Sequence, residues 1–252
     1  MKPISIRGMP AKMPLICAPL VGATREAVLA EAATALAAKA DIVEWRVDHF
    51  GGIHKASEVI QTGRALRGAL SGLPILFTRR SAAEGGKPVP IAEKRVVELY
   101  GEVCAAGFAD LVDYEMSSAP EALNEIRAVS RRHGAGLVCS FHDFERTPAL
   151  AALVADYRRA QELGGDVAKV SVMARGPQDA LTLLAATLQA SETLELPLIG
   201  ISMGPHGALS RMIGFAFGSA LTFGVGAGAS APGQMPIGEL RAAIEIARKA
   251  LG

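Results

Sequence analysis

The chain has 252 residues, half of them hydrophobic and a fifth charged, with a formal net charge of +1. That length can bury a large core, and a near-neutral balance without a lysine or arginine run lacks the electrostatic footprint of a nucleic-acid binder. Cys17, Cys104 and Cys139 stand far apart among apolar neighbours and without metal-ligand spacing, which points to reduced core thiols and a cytoplasmic protein.

The opening "MKPISIRGMPAKMP" has no apolar run of signal-peptide length. From there short β-type runs alternate with longer Ala/Leu/Glu/Arg-rich stretches to the end of the chain. The runs are "PLICAPLVG", "DIVEWRVDHF", "PILFTRR", "DLVDYEM", "GLVCSFHDF", "DVAKVSVMA", "PLIGISMG" and "ALTFGVGAG". The stretches between them, such as "TREAVLAEAATALAAKA", are apolar at helical spacing. Thr24 and Ser118 supply helix-start signals. Eight strand–helix units with no linker predict a closed (β/α)8 TIM barrel, one domain over residues 1–252. An open doubly wound sheet is the alternative that strand counting leaves. The opening segment falls outside the repeat and is expected as a hairpin or plug at the barrel's N-terminal mouth. Residues 212–238 carry no charge, but their second half is rich in Gly, Ala, Ser and Pro, so they read as a buried helix, a buried strand and a loop, with no membrane span.

In such a barrel, chemistry gathers at the C-terminal strand ends. The second strand alternates Glu44, Arg46 and Asp48 against Val43, Trp45 and Val47, which predicts the charged set inward and the apolar set under the helices. The third ends in "TRRSAAEGG", where Arg80 and Glu84 flank a loop that Gly85 and Gly86 allow to turn tightly. The fourth places Asp113 and Glu115 on one face, and the fifth puts His142 at its exit. The sixth holds Lys169 among valines. One reading sends its ammonium along a flexible stem to water. The other keeps the amine partly neutral, so that it can attack a carbonyl. Ser210 and Arg211 open the helix after the seventh strand, and the eighth runs into "GAGASAPGQ". Taken singly, each group has a structural explanation, since strand-end histidines usually find a backbone partner and loop arginines usually meet solvent. Together, six strand ends bearing ionisable groups read as a polar pocket for a small anionic substrate. The histidines show no pairing at ligand spacing, so no bound metal is expected.

The ordered motifs "EWRVDHF", "FTRR…EGG", "SFHDFERTP", "AKVSVM", "SMGPHGALSRMIGFAFGSALTF" and "ASAPGQ", spanning residues 16–234, resemble those of type I 3-dehydroquinate dehydratase. The resemblance implies a homodimeric (β/α)8 barrel of the shikimate pathway. It would dehydrate 3-dehydroquinate to 3-dehydroshikimate through a lysine imine, by syn-elimination, with no metal or organic cofactor. By motif, the imine lysine is Lys169, the general acid/base is His142, and Glu84 orients that histidine. Substrate contacts fall to Glu44, Arg46, Arg80, Arg211, Ser230 and Gln234, with Arg211 expected on the substrate carboxylate. Cationic neighbours are expected around Lys169, where they and desolvation would favour the free amine. The small-residue loop after the eighth strand is expected to close over the pocket. Two departures stand out: Pro19 replaces a serine of some relatives, and Arg79, replacing an aromatic, is expected to face the helices or solvent. A class I aldolase would share Lys169 but is disfavoured by "SFHDF" and "ASAPGQ"; a non-catalytic barrel binding a sugar acid is the remaining alternative.

Overall fold

The computed structural model describes residues 1–6, 14–226 and 228–251. Eight strands occur where the apolar runs predict them: β1 Leu15–Leu20, β2 Ile42–Arg46, β3 Ile75–Thr78, β4 Leu111–Glu115, β5 Gly136–Asp143, β6 Val167–Met173, β7 Leu198–Met203 and β8 Leu221–Phe223. They alternate with helices α1 Arg25–Ala37, α2 Ala56–Ala69, α3 Glu93–Ala106, α4 Pro120–His133, α5 Leu150–Glu162, α6 Pro177–Thr193, α7 Ala208–Ile213 and α8 Ile237–Leu251. All strand pairs are parallel, in the order β7-β6-β5-β4-β3-β2-β1-β8. The ring is completed just before β8, where Ser219 bridges Leu198 and the Ala220 amide donates to the Leu198 carbonyl at 2.7 Å. This is the (β/α)8 barrel, not the open sheet.

Period-two alternation sorts the side chains. Val43, Trp45, Phe77, Val112 and Val170 join the core between strands and helices. Cys17, Ile42, Leu76, Leu111, Val138, Val167, Ile199 and Leu221 fill the barrel interior. One step further along most strands the inward positions become polar. An apolar floor therefore supports a charged upper storey.

Ile4 and Ile6 are buried in the same interior cluster, and the Lys2 ammonium donates to the carbonyls of Ser191 and Leu194. Residues 1–6 thus plug the N-terminal mouth; the rest of the expected hairpin or plug falls on residues 7–13, outside the described residues. Thr24 caps α1, its Oγ accepting from the Ala27 amide at 3.2 Å. Ser118 does not cap α4: Ala119 takes that position, with Pro120 opening the first turn. The charge-free segment after Met212 splits into the end of α7, a 3-10 turn over Gly214–Phe217, β8 and a loop. Among the described residues no helix is long and apolar enough to cross a membrane.

Trp45 anchors the outer core, in edge-on contact with Phe50 at 5.6 Å and Phe77 at 5.7 Å between ring centroids. Each such contact contributes about 0.5–1.5 kcal/mol beyond area burial. Its indole Nε1 has no hydrogen-bond partner among the described residues, so replacement by Phe removes an unsatisfied donor along with volume. Trp45→Ala should cost about 3–5 kcal/mol and Trp45→Phe under about 2 kcal/mol, measured by urea unfolding. Equal losses from both would contradict this packing.

Candidate active site

The charged storey is held together by Asp113, which is fully buried on β4. One of its oxygens accepts from Arg80 at 2.6 Å and from the Ser140 hydroxyl at 2.7 Å. The other accepts from the Lys169 ammonium at 3.1 Å. Burial works to raise the Asp113 pKa, but the charges of Arg80 and Lys169 override it and hold the carboxyl at about 2.

Lys169 is largely withdrawn from water. It is 4% exposed, lies 3.4 Å from Glu44 Oε1, and sits over the Phe223 ring at 4.8 Å from the centroid. The expectation of cationic neighbours needs correction, because the groups within hydrogen-bonding reach of Nζ are carboxylates and the guanidinium of Arg80 lies behind Asp113. β-strand geometry causes this. The inward positions of β2 and β4 that project toward Lys169 are acidic.

Two carboxylates hold the loop after β3. Asp48 receives Arg46 through a fork of two 2.8 Å bonds and also accepts from the backbone amides of Arg80 and Lys87. Glu115 accepts from the Ser81 amide at 2.6 Å and from Arg80 at 3.1 Å. Gly86 allows the tight return, since a Cβ there would lie 2.0 Å from the Arg80 carbonyl oxygen. The chain leaves β2 before Asp48, which sits in a 3-10 turn over Val47–His49. Asp48 therefore anchors the loop and leaves cavity contact to Glu44 and Arg46.

This loop delivers Glu84 to His142. The Glu84 Oε2 stands 2.9 Å from His142 Nδ1 and 3.0 Å from the His142 amide. Burial first, then the positive charges of Arg80, Lys169 and Arg46, push the His142 pKa well below its usual 6.5, so the ring is neutral at neutral pH. Burial and the nearby Glu115 push Glu84 up to about 7, against the opposing Ser117 hydrogen bond and Arg80 charge. With Glu84 ionised, the Nδ1–H donates to it and Nε2 keeps its lone pair.

Arg211 is placed differently. Only 2% exposed, it donates to the Pro232 carbonyl at 2.9 Å, and its Nε finds no partner among the described residues. No carboxylate pairs with it among the described ion pairs, and burial lowers its pKa to about 10. Above it the loop after β8 folds over the mouth. Ser230 and Gln234 hydrogen-bond each other, through the Ser230 amide at 2.9 Å and the Ser230 hydroxyl at 3.2 Å. Gly233 permits the seating, because a Cβ there would come within 2.5 Å of the Gly204 carbonyl oxygen.

All nine residues expected at the site line one cavity: Lys169, His142, Glu84, Glu44, Arg46, Arg80, Arg211, Ser230 and Gln234. Phe144, Ile201, Met203 and Phe223 give it apolar walls. Arg80 lines the space, but most of its guanidinium is engaged by Asp113, Glu115 and Ser140. Arg79 points outward, as expected, and pairs with Glu93 of α3. Asp113 and Asp48 were legible as polar strand-end residues without an assigned part; Ser117 and Phe223 gave no signal. Among the described residues no group of three or more His, Cys, Asp or Glu side chains is arranged to hold a metal ion.

The family model of type I 3-dehydroquinase matches residues 16–250. A 3-dehydroquinate dehydratase from Albidiferax ferrireducens is 49% identical, covering 100% of this chain and 96% of the relative. The crystal structure of 3-dehydroquinate dehydratase from Geobacillus kaustophilus superposes with a TM-score of 0.96 at 42% identity, covering 98% of this chain and 97% of the other. The type I enzyme from Clostridium difficile, solved with covalently modified comenic acid, gives 0.93 at 34% identity over 99% of this chain and 98% of the other. With this barrel and this cavity, the chain belongs to the type I 3-dehydroquinase family, hydro-lyases of the shikimate pathway.

Proposed function

We propose that the chain removes water from 3-dehydroquinate through an imine formed at Lys169, giving 3-dehydroshikimate by syn-elimination. The observation that carries this reading is the buried Lys169 amine, which shares one cavity with a neutral His142 and with an Arg211 that pairs with no carboxylate among the described residues. The relative solved with covalently modified comenic acid is consistent with a nucleophilic site of this kind.

The amine, once it has given up its proton, adds to the ring ketone, and the carbonyl oxygen leaves as water. The resulting iminium retains the positive charge that Glu44 and Asp113 already surround, so both carboxylates are oriented for the intermediate before it forms. His142 takes the proton from the carbon beside the iminium carbon, and the electron pair of that C–H bond flows to nitrogen as an enamine. The imidazolium, steadied by ionised Glu84, returns its proton to the leaving hydroxyl, which departs as water while the iminium re-forms. Hydrolysis restores the ketone, now conjugated, and frees Lys169. The imine is itself the electron sink, so the sequence of steps calls for no cofactor.

Arg211 takes the substrate carboxylate in this reading. A buried guanidinium without a counter-charge gains most from an anionic ligand, and its fork matches a carboxylate. Ser230 and Gln234 contact hydroxyls, while Glu44, Arg46 and Arg80 border the ring. We place all of this in a single domain, residues 1–252, assembled as a cytoplasmic homodimer. The three buried free cysteines are in keeping with a reducing compartment.

Borohydride reduction during turnover should add the mass of the reduced substrate to the peptide carrying Lys169, and Lys169→Ala should abolish it. An unlabelled wild-type peptide would overturn the imine and leave the sugar-acid-binding alternative. His142→Ala should still trap as an imine, while kcat, followed by enone absorbance, falls by roughly two to four orders of magnitude. Arg211→Ala should act chiefly on KM, raising it by roughly two orders of magnitude. Sedimentation equilibrium should give twice the chain mass; a single chain mass at micromolar concentration would contradict the dimer.

A further inference from the structure

The turn after β4 brings a hydroxyl to the Glu84–His142 couple. Ser117 Oγ donates to Glu84 Oε1 at 2.5 Å, the length of a charge-assisted O–H···O bond. The other carboxylate oxygen is occupied by His142, through its amide and its Nδ1. Ser117 itself is exposed and lies outside the cavity lining, so it touches neither substrate nor Lys169. The turn is held firmly. The Ser118 amide donates to the Glu115 carbonyl at 3.2 Å, the Met116 amide to the Ser140 carbonyl at 2.8 Å, and Arg159 to the Met116 carbonyl at 2.9 Å.

We propose that Ser117 is a positioning residue that acts through Glu84: by donating to Oε1 it keeps Glu84 an ionised acceptor of the His142 Nδ1–H, so that the Nε2 lone pair faces the cavity. This rests on the reading of His142 as the acid/base. The opposite arrangement explains why the hydroxyl matters. A proton on Glu84 Oε2 would be donated to Nδ1 and would force the other neutral tautomer, in which Nε2 carries hydrogen and cannot accept one from carbon.

The groups facing the couple make this arrangement a close contest. Glu115 and Asp113 of β4 repel a negative Glu84, and burial raises the cost of its charge. Arg80 favours the charge from 3.8 Å, while Lys169 and Arg46 act on the imidazole. Glu84 therefore titrates near neutrality, and one hydrogen bond more or less shifts the balance within the working pH range. Loss of the donor raises the Glu84 pKa. The ascending acid limb of the rate profile must then move to higher pH.

The test compares kcat–pH profiles of wild type, Ser117→Ala and Ser117→Thr with 3-dehydroquinate, alongside His142→Ala. Ser117→Ala should move the acid limb upward by about half to one unit, with the alkaline plateau changed less than threefold and KM unmoved. Ser117→Thr, which retains the hydroxyl, should restore the wild-type limb. On 15N-histidine-labelled protein near neutral pH, Ser117→Ala should also shift the His142 signals toward the Nε2–H tautomer. An unmoved limb in Ser117→Ala, or a shift that persists in Ser117→Thr, overturns the serine's role while a collapsed His142→Ala leaves the acid/base reading intact. Undiminished turnover in His142→Ala removes that reading, and this proposal with it.

Discussion

The structure depends on one buried carboxylate that cannot be left alone. Asp113 sits at the centre of the barrel with no exposure, bonded to Arg80, Lys169 and Ser140 at once. A lone charge there would be prohibitive, whereas the paired cluster is tolerable; removing one partner of such a set costs about 3–5 kcal/mol. Its contribution is arrangement more than stability. Because Asp113 must satisfy both cations, the Lys169 ammonium is held over Phe223 and beside Glu44, and Arg80 is drawn down toward β4 and β5.

Around that centre the cations divide by their partners. Lys169, Arg80 and Arg46 each meet a carboxylate within 3.1 Å. Arg211, equally enclosed, donates to a carbonyl oxygen and pairs with no carboxylate among the described residues. Paired charges shape the chamber, and Arg211 faces the loop that carries Ser230 and Gln234. The same distinction separates the carboxylates. Asp113 and Asp48 are fixed by cations, while burial and the nearby Glu115 push Glu84 up to about 7 against the Ser117 hydrogen bond and the Arg80 charge.

Much of this is legible in the amino-acid sequence. Alternation in "DIVEWRVDHF" correctly sent Glu44 and Arg46 into the barrel and Trp45 to the helices, since a strand offers only two faces. Asp48 lies beyond the strand end in a 3-10 turn, where it pairs with the inward Arg46 but stays out of the cavity lining. Ser118 offers a helix-start signal, yet the preceding serine bonds Glu84 and neither residue caps α4. A serine in a turn has no period to betray which distant carboxylate it meets.

The amino-acid sequence by itself determined the eight strands, the side of each strand that is apolar, and the residue types at each strand end. Hydrophobic periodicity and turn chemistry are local properties, and burial enforces them one element at a time. The pairing of charges was decided only by the tertiary structure. Lys169 meets Asp113 across 56 residues and Glu44 across 125, and those separations carry no local signal. Strand tilt and the stagger between neighbours in a closing barrel set which inward positions come level. That stagger put acids, where cations had been expected, against the lysine.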